Sequence, residues 1–225
     1  MRAANHSLSP AAPRHTAQTL LGLAWAMGFA WLPLTRWMHE FADTAHLLAY
    51  EAVWWLATLA LLRYVRAVER RPLTSIGLVR PQAPALALGV AAGVVVTIVM
   101  GMLYLVVLPT LHLADQVANT ANARLLAMTP LWWRLLSCVR AAVAEEVMFR
   151  GYAMERLQEL TGSRSVALWA SCAAFTLAHV GAWGWSHVIV VAVGGLAFSL
   201  LYLWKRNLWV NITAHLIVDV VSMLG

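Results

Sequence analysis

Seven apolar runs separated by short polar segments make up the pattern of the chain, at about residues 17–35, 44–62, 84–108, 131–160, 165–184, 187–204 and 208–224. Each is close to the roughly 20 residues that a helix needs to cross a hydrocarbon core. The pattern therefore predicts an all-α, polytopic membrane helix bundle of about seven transmembrane helices, within bounds of six to eight. Turn chemistry punctuates the runs: RPLTSIGLVRP after the second, Pro109 at the end of the third, Thr161-Gly162-Ser163 after the fourth and Lys205-Arg206-Asn207 before the last. Thr129-Pro130 reads as an N-cap followed by Pro at the first helical position of the fourth run. The third run is rich in Gly, Ala and Val, which lets neighbouring helices approach closely. Residues 1–16 lack periodicity and read as a cytoplasmic tail. The first run has no small-residue cleavage site, so it reads as a retained anchor.

Composition sharpens this. The 225 residues are 61% hydrophobic and 12% charged, with a mean hydropathy of +0.70. Soluble domains carry roughly 25% charged residues, so a water-facing surface could not be covered. A net charge of +6 and a pI near 10.0 would suit nucleic acid, but the basic residues form no polar face, so no nucleic-acid partner is expected. They mark topology instead. Twelve of the 16 lie in the tail and in the segments 63–80, 150–164 and 205–206, which predicts the N-terminus inside and the C-terminus outside. Arg used almost to the exclusion of Lys, with abundant Ala, points to a high-GC bacterium and hence to a bacterial cytoplasmic membrane. Trp37, Trp132, Trp133, Trp183, Trp185, Trp204 and Trp209 fall near run ends and read as an interfacial belt. Cys138 and Cys172 lie at different heights in their runs and are expected to pack unpaired.

Charged groups within a span cost on the order of 2.5–3.5 kcal/mol each, so each one needs a partner or a function. Three sets stand out: Glu145-Glu146-x-x-x-Arg150, Phe175-x-x-x-His179 and His215-x-x-x-Asp219. A spacing of four places both members on one helix face, so Glu146 is expected to meet Arg150, and His215 to point with Asp219 into the bundle. Glu145 lies 17 residues before Gly162 and His179 lies 16 after Ser163. In an antiparallel hairpin both sit about 25 Å from the turn, level with each other. His215 is only eight residues past Asn207, so a shared site requires the polar 150–164 hairpin to project beyond the bilayer. Carboxylates and imidazoles converging from three helices either hold a divalent metal such as zinc or share a water as general base, without metal. The bland alternative is that they only lock the helices together.

Other signals carry less. Glu51 and Arg140, intramembrane and of opposite sign, are candidates for an interhelical pair. Ser186-His187 reads as a helix N-cap. His39-Glu40 lacks the second His of a zincin motif, and Asn211-Ile212-Thr213 matches a glycosylation sequon but falls within a span.

The ordered set of Glu145, Glu146 and Arg150, then Phe175 and His179, then His215 and Asp219, resembles the CPBP family, the CAAX proteases and bacteriocin-processing enzymes also called Abi. Ser75-Ile76-Gly77-Leu78 and Asn207-Leu208-Trp209 are similar to that family too. The resemblance implies an intramembrane endopeptidase, CAAX-protease-like, with 17–130 as N-terminal transmembrane helices and loops and 131–225 as the catalytic core. It implies catalytic roles for Glu145, Glu146, His179, His215 and Asp219, with Arg150 and Phe175 in support. Glu145 would polarise the attacking water with His179, Glu146 and Arg150 would hold the helix, and His215 and Asp219 would bind metal or the oxyanion. Members of the type II branch carry Asn where this chain has Asp219. An ionised carboxylate cannot donate to an oxyanion, so Asp219 either is protonated or favours a metal, zinc first, held by Glu145, His179, His215 and Asp219. The expected partners are a peptide or membrane-protein substrate and the lipid bilayer. The other readings left open are a membrane binding or transport protein, and an immunity protein, built on the same polar cluster.

Overall fold

The structure, a computed structural model, describes residues 13–32, 34 and 43–224. Residues 1–12 of the tail lie outside the described residues, as do Arg36, Trp37, His39 and Glu40. α1 (Pro13–Gly28) is followed by α2 (Thr44–Ala67) and α3 (Ala83–Thr110). Two short helices, α4 (Ala114–Ala118) and α5 (Ala121–Met128), lead to α6 (Leu131–Glu145). α6 runs on through a π-helical stretch, Glu146–Met154, into α7 (Glu155–Thr161). α8 (Arg164–Trp183), α9 (Trp185–Lys205) and α10 (Leu208–Leu224) complete the chain. Regular structure is entirely helical among the described residues. α2, α3, α8 and α9 are long and apolar enough to cross a membrane, and α10 carries a shorter apolar stretch. The seven long helical units coincide with the seven apolar runs.

Three local expectations are corrected. The third run does not end at Pro109, because α3 passes it to Thr110, and the segment that follows is largely helical in α4 and α5. Pro109 lacks the N–H for an intrahelical bond, and α3 widens to a π-turn at Leu103–Val107 just before it. Thr129 does not cap α6: its hydroxyl donates to the Leu126 carbonyl at 3.0 Å, serving the end of α5, and Pro130 holds the cap position of α6 without a side-chain bond. Ser186 does not cap α9 either. It lies in a 3-10 turn, Trp185–His187, entered through Gly184 at φ 71°.

The α6–π–α7 rod runs through the centre of the bundle, and every residue from Glu146 to Met154 is buried. Neighbours approach it where side chains are missing. A Cβ on Gly151 would stand 2.8 Å from the Ile76 carbonyl oxygen and 2.9 Å from Leu208 Cδ1. On α3, Gly89 and Gly93 lie one turn apart against α10, where a Cβ would come within 2.8 Å of the Val210 carbonyl and of Ile217 Cβ respectively. The small residues of the third run therefore do seat a neighbouring helix.

The 73–79 linker is tied to the start of α10: Leu208 N–H donates to the Gly77 carbonyl at 2.9 Å and Trp209 Nε1 to the Val79 carbonyl at 2.8 Å. At this end of the bundle Arg156 donates to Glu69 at 2.6 Å, Tyr152 donates to the same carboxylate, and Glu155 accepts from Tyr202 and pairs with Arg206. The polar residues of 150–164 are thus not simply projected into water, since Arg150, Glu155 and Arg156 are all buried. Trp133 also departs from the interfacial belt, being buried with its Nε1 toward the Leu47 carbonyl.

Candidate active site

The α7–α8 hairpin sets the level of the site. Gly162 closes α7 in the left-handed conformation at φ 68°, and Ser163 Oγ caps α8 by accepting from Val166 N–H at 3.3 Å. With that turn fixed, counting along both helices places Glu145 opposite His179, and Glu145 Oε2 lies 3.9 Å from His179 Nε2. α10 brings the third set: His215 Nε2 is 4.0 Å from Glu145 Oε2 and 3.6 Å from Asp219 Oδ1. Four of the residues singled out in the sequence therefore face one another from three helices.

Glu146 and Arg150 occupy a layer below them, with side chains 0% exposed. Arg150 Nη1 donates to Glu146 Oε1 at 2.9 Å, and Nη2 donates to the Gly195 carbonyl at 3.1 Å. The Arg150 guanidinium lies 4.2 Å above the Phe175 ring, which meets Phe149 edge-on. Glu146 also holds two groups of α10: its Oε1 is 2.9 Å from His215 Nδ1, and its Oε2 accepts from Asn211 Nδ2 at 3.0 Å. Both oxygens of this buried carboxylate thus meet donors, the condition for keeping a charge out of water.

The two imidazoles are oriented in the same sense. His179 Nδ1 faces the Phe175 carbonyl at 2.8 Å; a carbonyl only accepts, so Nδ1 carries a proton. His215 Nδ1 is engaged by Glu146, and the ring stacks on Phe198 at 4.6 Å. Both rings therefore turn Nε2 toward Glu145. Side-chain exposures of 14% for Glu145, 22% for His179 and 25% for Asp219 leave this edge reachable, while Glu146 is sealed.

Asn211 and the Gly195 carbonyl had been missed. Asn211 was visible in the sequence only as part of an inaccessible sequon, yet it precedes His215 by four residues and so shares its face of α10. Gly195 leaves room for the Phe175 ring, whose Cδ1 would be 3.0 Å from a Cβ there. Among the described residues no group of three or more His, Cys, Asp or Glu side chains forms a metal-holding cluster. The donor chemistry of Glu145, His179, His215 and Asp219 nevertheless suits zinc, with two oriented Nε2 atoms and two carboxylates. Their separations of 3.6–4.0 Å are wider than the about 3.3 Å between tetrahedral zinc ligands that follows from bonds of about 2.0–2.1 Å. Cys138 and Cys172 are free and buried. Glu51 and Arg140 do pair between α2 and α6, at 3.1 Å, with Ser137 donating to the same carboxylate.

Residues 127–221 match a family model described as type II CAAX prenyl endopeptidase Rce1-like. The resemblance to the CAAX proteases is shown over this segment. The Rce1-like stretch contains every residue of the cluster, from Glu145 to Asp219, and ends within α10. An endopeptidase acting at the membrane is what this family suggests, and the apolar helices make the chain an integral membrane protein. No curated protein and no solved structure matches the chain significantly.

Proposed function

We propose that the protein is an intramembrane endopeptidase that hydrolyses a peptide bond of a membrane-associated or peptide substrate, with Glu145 and His179 activating the water. The observation that carries this is the 3.9 Å between Glu145 Oε2 and His179 Nε2, with the Nδ1 side of the ring already occupied. Two acceptors at that separation each reach one water at hydrogen-bond distance. The water then donates one hydrogen to each, and its oxygen lone pair points away from both, toward a substrate carbonyl. Attack forms the C–O bond as one proton passes to the Glu145–His179 pair. That proton goes on to the amine as the C–N bond breaks, so no other reactant is consumed. As an imidazolium, His215 donates Nδ1–H to Glu146 and Nε2–H to the oxyanion formed by that attack, while Asp219 orients it. Glu146, Arg150 and Asn211 hold α10 against the rod and position His215.

The second reading is a metal site, favoured by the donor set itself. Glu145, His179, His215 and Asp219 would hold a divalent ion, zinc first, which would supply Lewis-acid activation of water. Metal analysis of active protein, with Asp219→Asn beside it, separates the two. The water reading expects activity without bound metal and after chelation. Loss on chelation, with recovery on adding zinc, selects the metal.

The N-terminus inside, the C-terminus outside and a bacterial cytoplasmic membrane complete the proposal. They are supported by the distribution of the basic residues. Comparing membrane proteins of cells with and without this protein tests the function. A terminus processed only where wild-type protein is present, and not with His179→Ala, is the expected result. Identical termini in all three samples would instead favour a binding, transport or immunity role.

A further inference from the structure

At the end of α2, Arg63 and Arg66 differ from three cations at the same end of the bundle. Arg71 is paired with Glu159, Arg156 with Glu69 and Arg206 with Glu155. Arg63 and Arg66 make no ion pair or hydrogen bond among the described residues, and both are exposed. They flank a cavity of about 370 Å³ whose other walls are Leu62, Ala67 and Leu73. Two free guanidiniums over an apolar floor make an uncompensated positive pocket.

The same face of α2 continues into an apolar stripe. Leu56, Leu59, Arg63 and Arg66 follow one another at spacings of three and four, which keeps them on one side of the helix. Leu56 and Leu59 are 66% and 56% exposed, on a helix long and apolar enough to cross a membrane. Two leucines that meet hydrocarbon thus lie one to three turns, about 6–15 Å, from two cations at the helix end. That order, acyl-facing residues first and phosphate-binding residues next, follows the order of groups in a glycerophospholipid. Guanidinium pairs bind phosphate oxygens through fork geometry, and basic residues at the end of a span attract anionic lipid.

We propose that Leu56, Leu59, Arg63, Arg66 and the adjoining cavity form a binding site for one anionic glycerophospholipid, with its chains along α2 and its headgroup phosphate between the two arginines. Leu73 begins the linker whose Gly77 carbonyl accepts from Leu208 N–H at the start of α10. A lipid seated on Leu73 therefore braces the segment from which the helix of His215 starts. The site does not depend on the proposed peptidase activity, and its test does not use cleavage.

The experiment is thermal unfolding of the purified full chain in neutral detergent during titration with short-chain phosphatidylglycerol. Phosphatidylcholine and inorganic phosphate serve as separate arms. The lipid should raise the unfolding temperature of wild-type protein. Arg63→Gln with Arg66→Gln should raise the concentration for half effect by about 30-fold, from about 1 kcal/mol for each basic residue lost. Arg63→Lys with Arg66→Lys keeps the charge and guards against a folding defect in the Gln pair; it should fall between the two. Arg70→Gln, outside the cavity, should respond as wild type. An equal response to phosphatidylcholine, an effect of inorganic phosphate alone, an undiminished response in the Gln pair, or an equal loss in Arg70→Gln would each overturn the proposal.

Discussion

Glu145 and Glu146 are adjacent, chemically identical and differently surrounded. Glu146 is sealed, with Arg150, Asn211 and His215 around its two oxygens. Glu145 is 14% exposed and approaches two imidazole Nε2 atoms only at 3.9 and 4.0 Å. Neighbouring residues on a helix diverge by about 100°, the angle implied by 3.6 residues per turn, so one carboxylate points into the packed layer and the other along the open edge. Burial with full hydrogen bonding makes a charge structural, whereas partial access with separated acceptors leaves room for a reacting molecule. The same lesson separates the two interhelical layers. Arg140 is held by Glu51 and lies 5.2 Å over both Tyr50 and Trp54, a second buried pair that fixes α2 to α6.

The largest effect should come from breaking the sealed side. Glu146→Ala strands Arg150 without its carboxylate and should cost about 3–5 kcal/mol, the penalty for leaving a buried charge unpaired. It is read as a fall in thermal unfolding temperature in detergent. Asn211→Ala removes one donor to Glu146 and one to the Phe198 carbonyl; about 1.5–3 kcal/mol is expected for a lost bond to a charged group. On the open side, Glu145→Gln should shift stability by no more than about 0.5 kcal/mol, as for substitutions away from packed or fully paired positions. Should Glu145→Gln unfold the protein as readily as Glu146→Ala, the contrast between the two carboxylates would fail.

Much of this site could be read from the sequence because helical periodicity is strict. The count from Gly162-Ser163 set Glu145 level with His179, and the four-residue spacing set His215 and Asp219 on one face of α10; that α10 brings its pair to the other two depends on packing that no count supplies. What escaped depended on contacts between elements that no spacing encodes. The Arg150 bond to the Gly195 carbonyl needs α9 to lie against the rod, and the burial of Arg156 needs Glu69 from the end of α2. Asn211 is reached by the same periodicity, being one turn before His215, although in the sequence it stands out only as part of a sequon. Thr129 and Ser186 show the limit for caps, since a hydroxyl near two helix ends serves whichever free carbonyl or N–H the backbone brings closer.

In the proposed function the carboxylate on the open edge does the chemistry and its sealed neighbour does the holding. The most direct measurement is the rate at which purified wild-type and Glu145→Gln proteins cleave the same membrane-associated substrate, with the unfolding temperature of each recorded. The expected rate is lower by about 10²–10⁴-fold, the usual worth of a positioned general base, at an unchanged unfolding temperature. Cleavage by folded Glu145→Gln protein at the wild-type rate would contradict it.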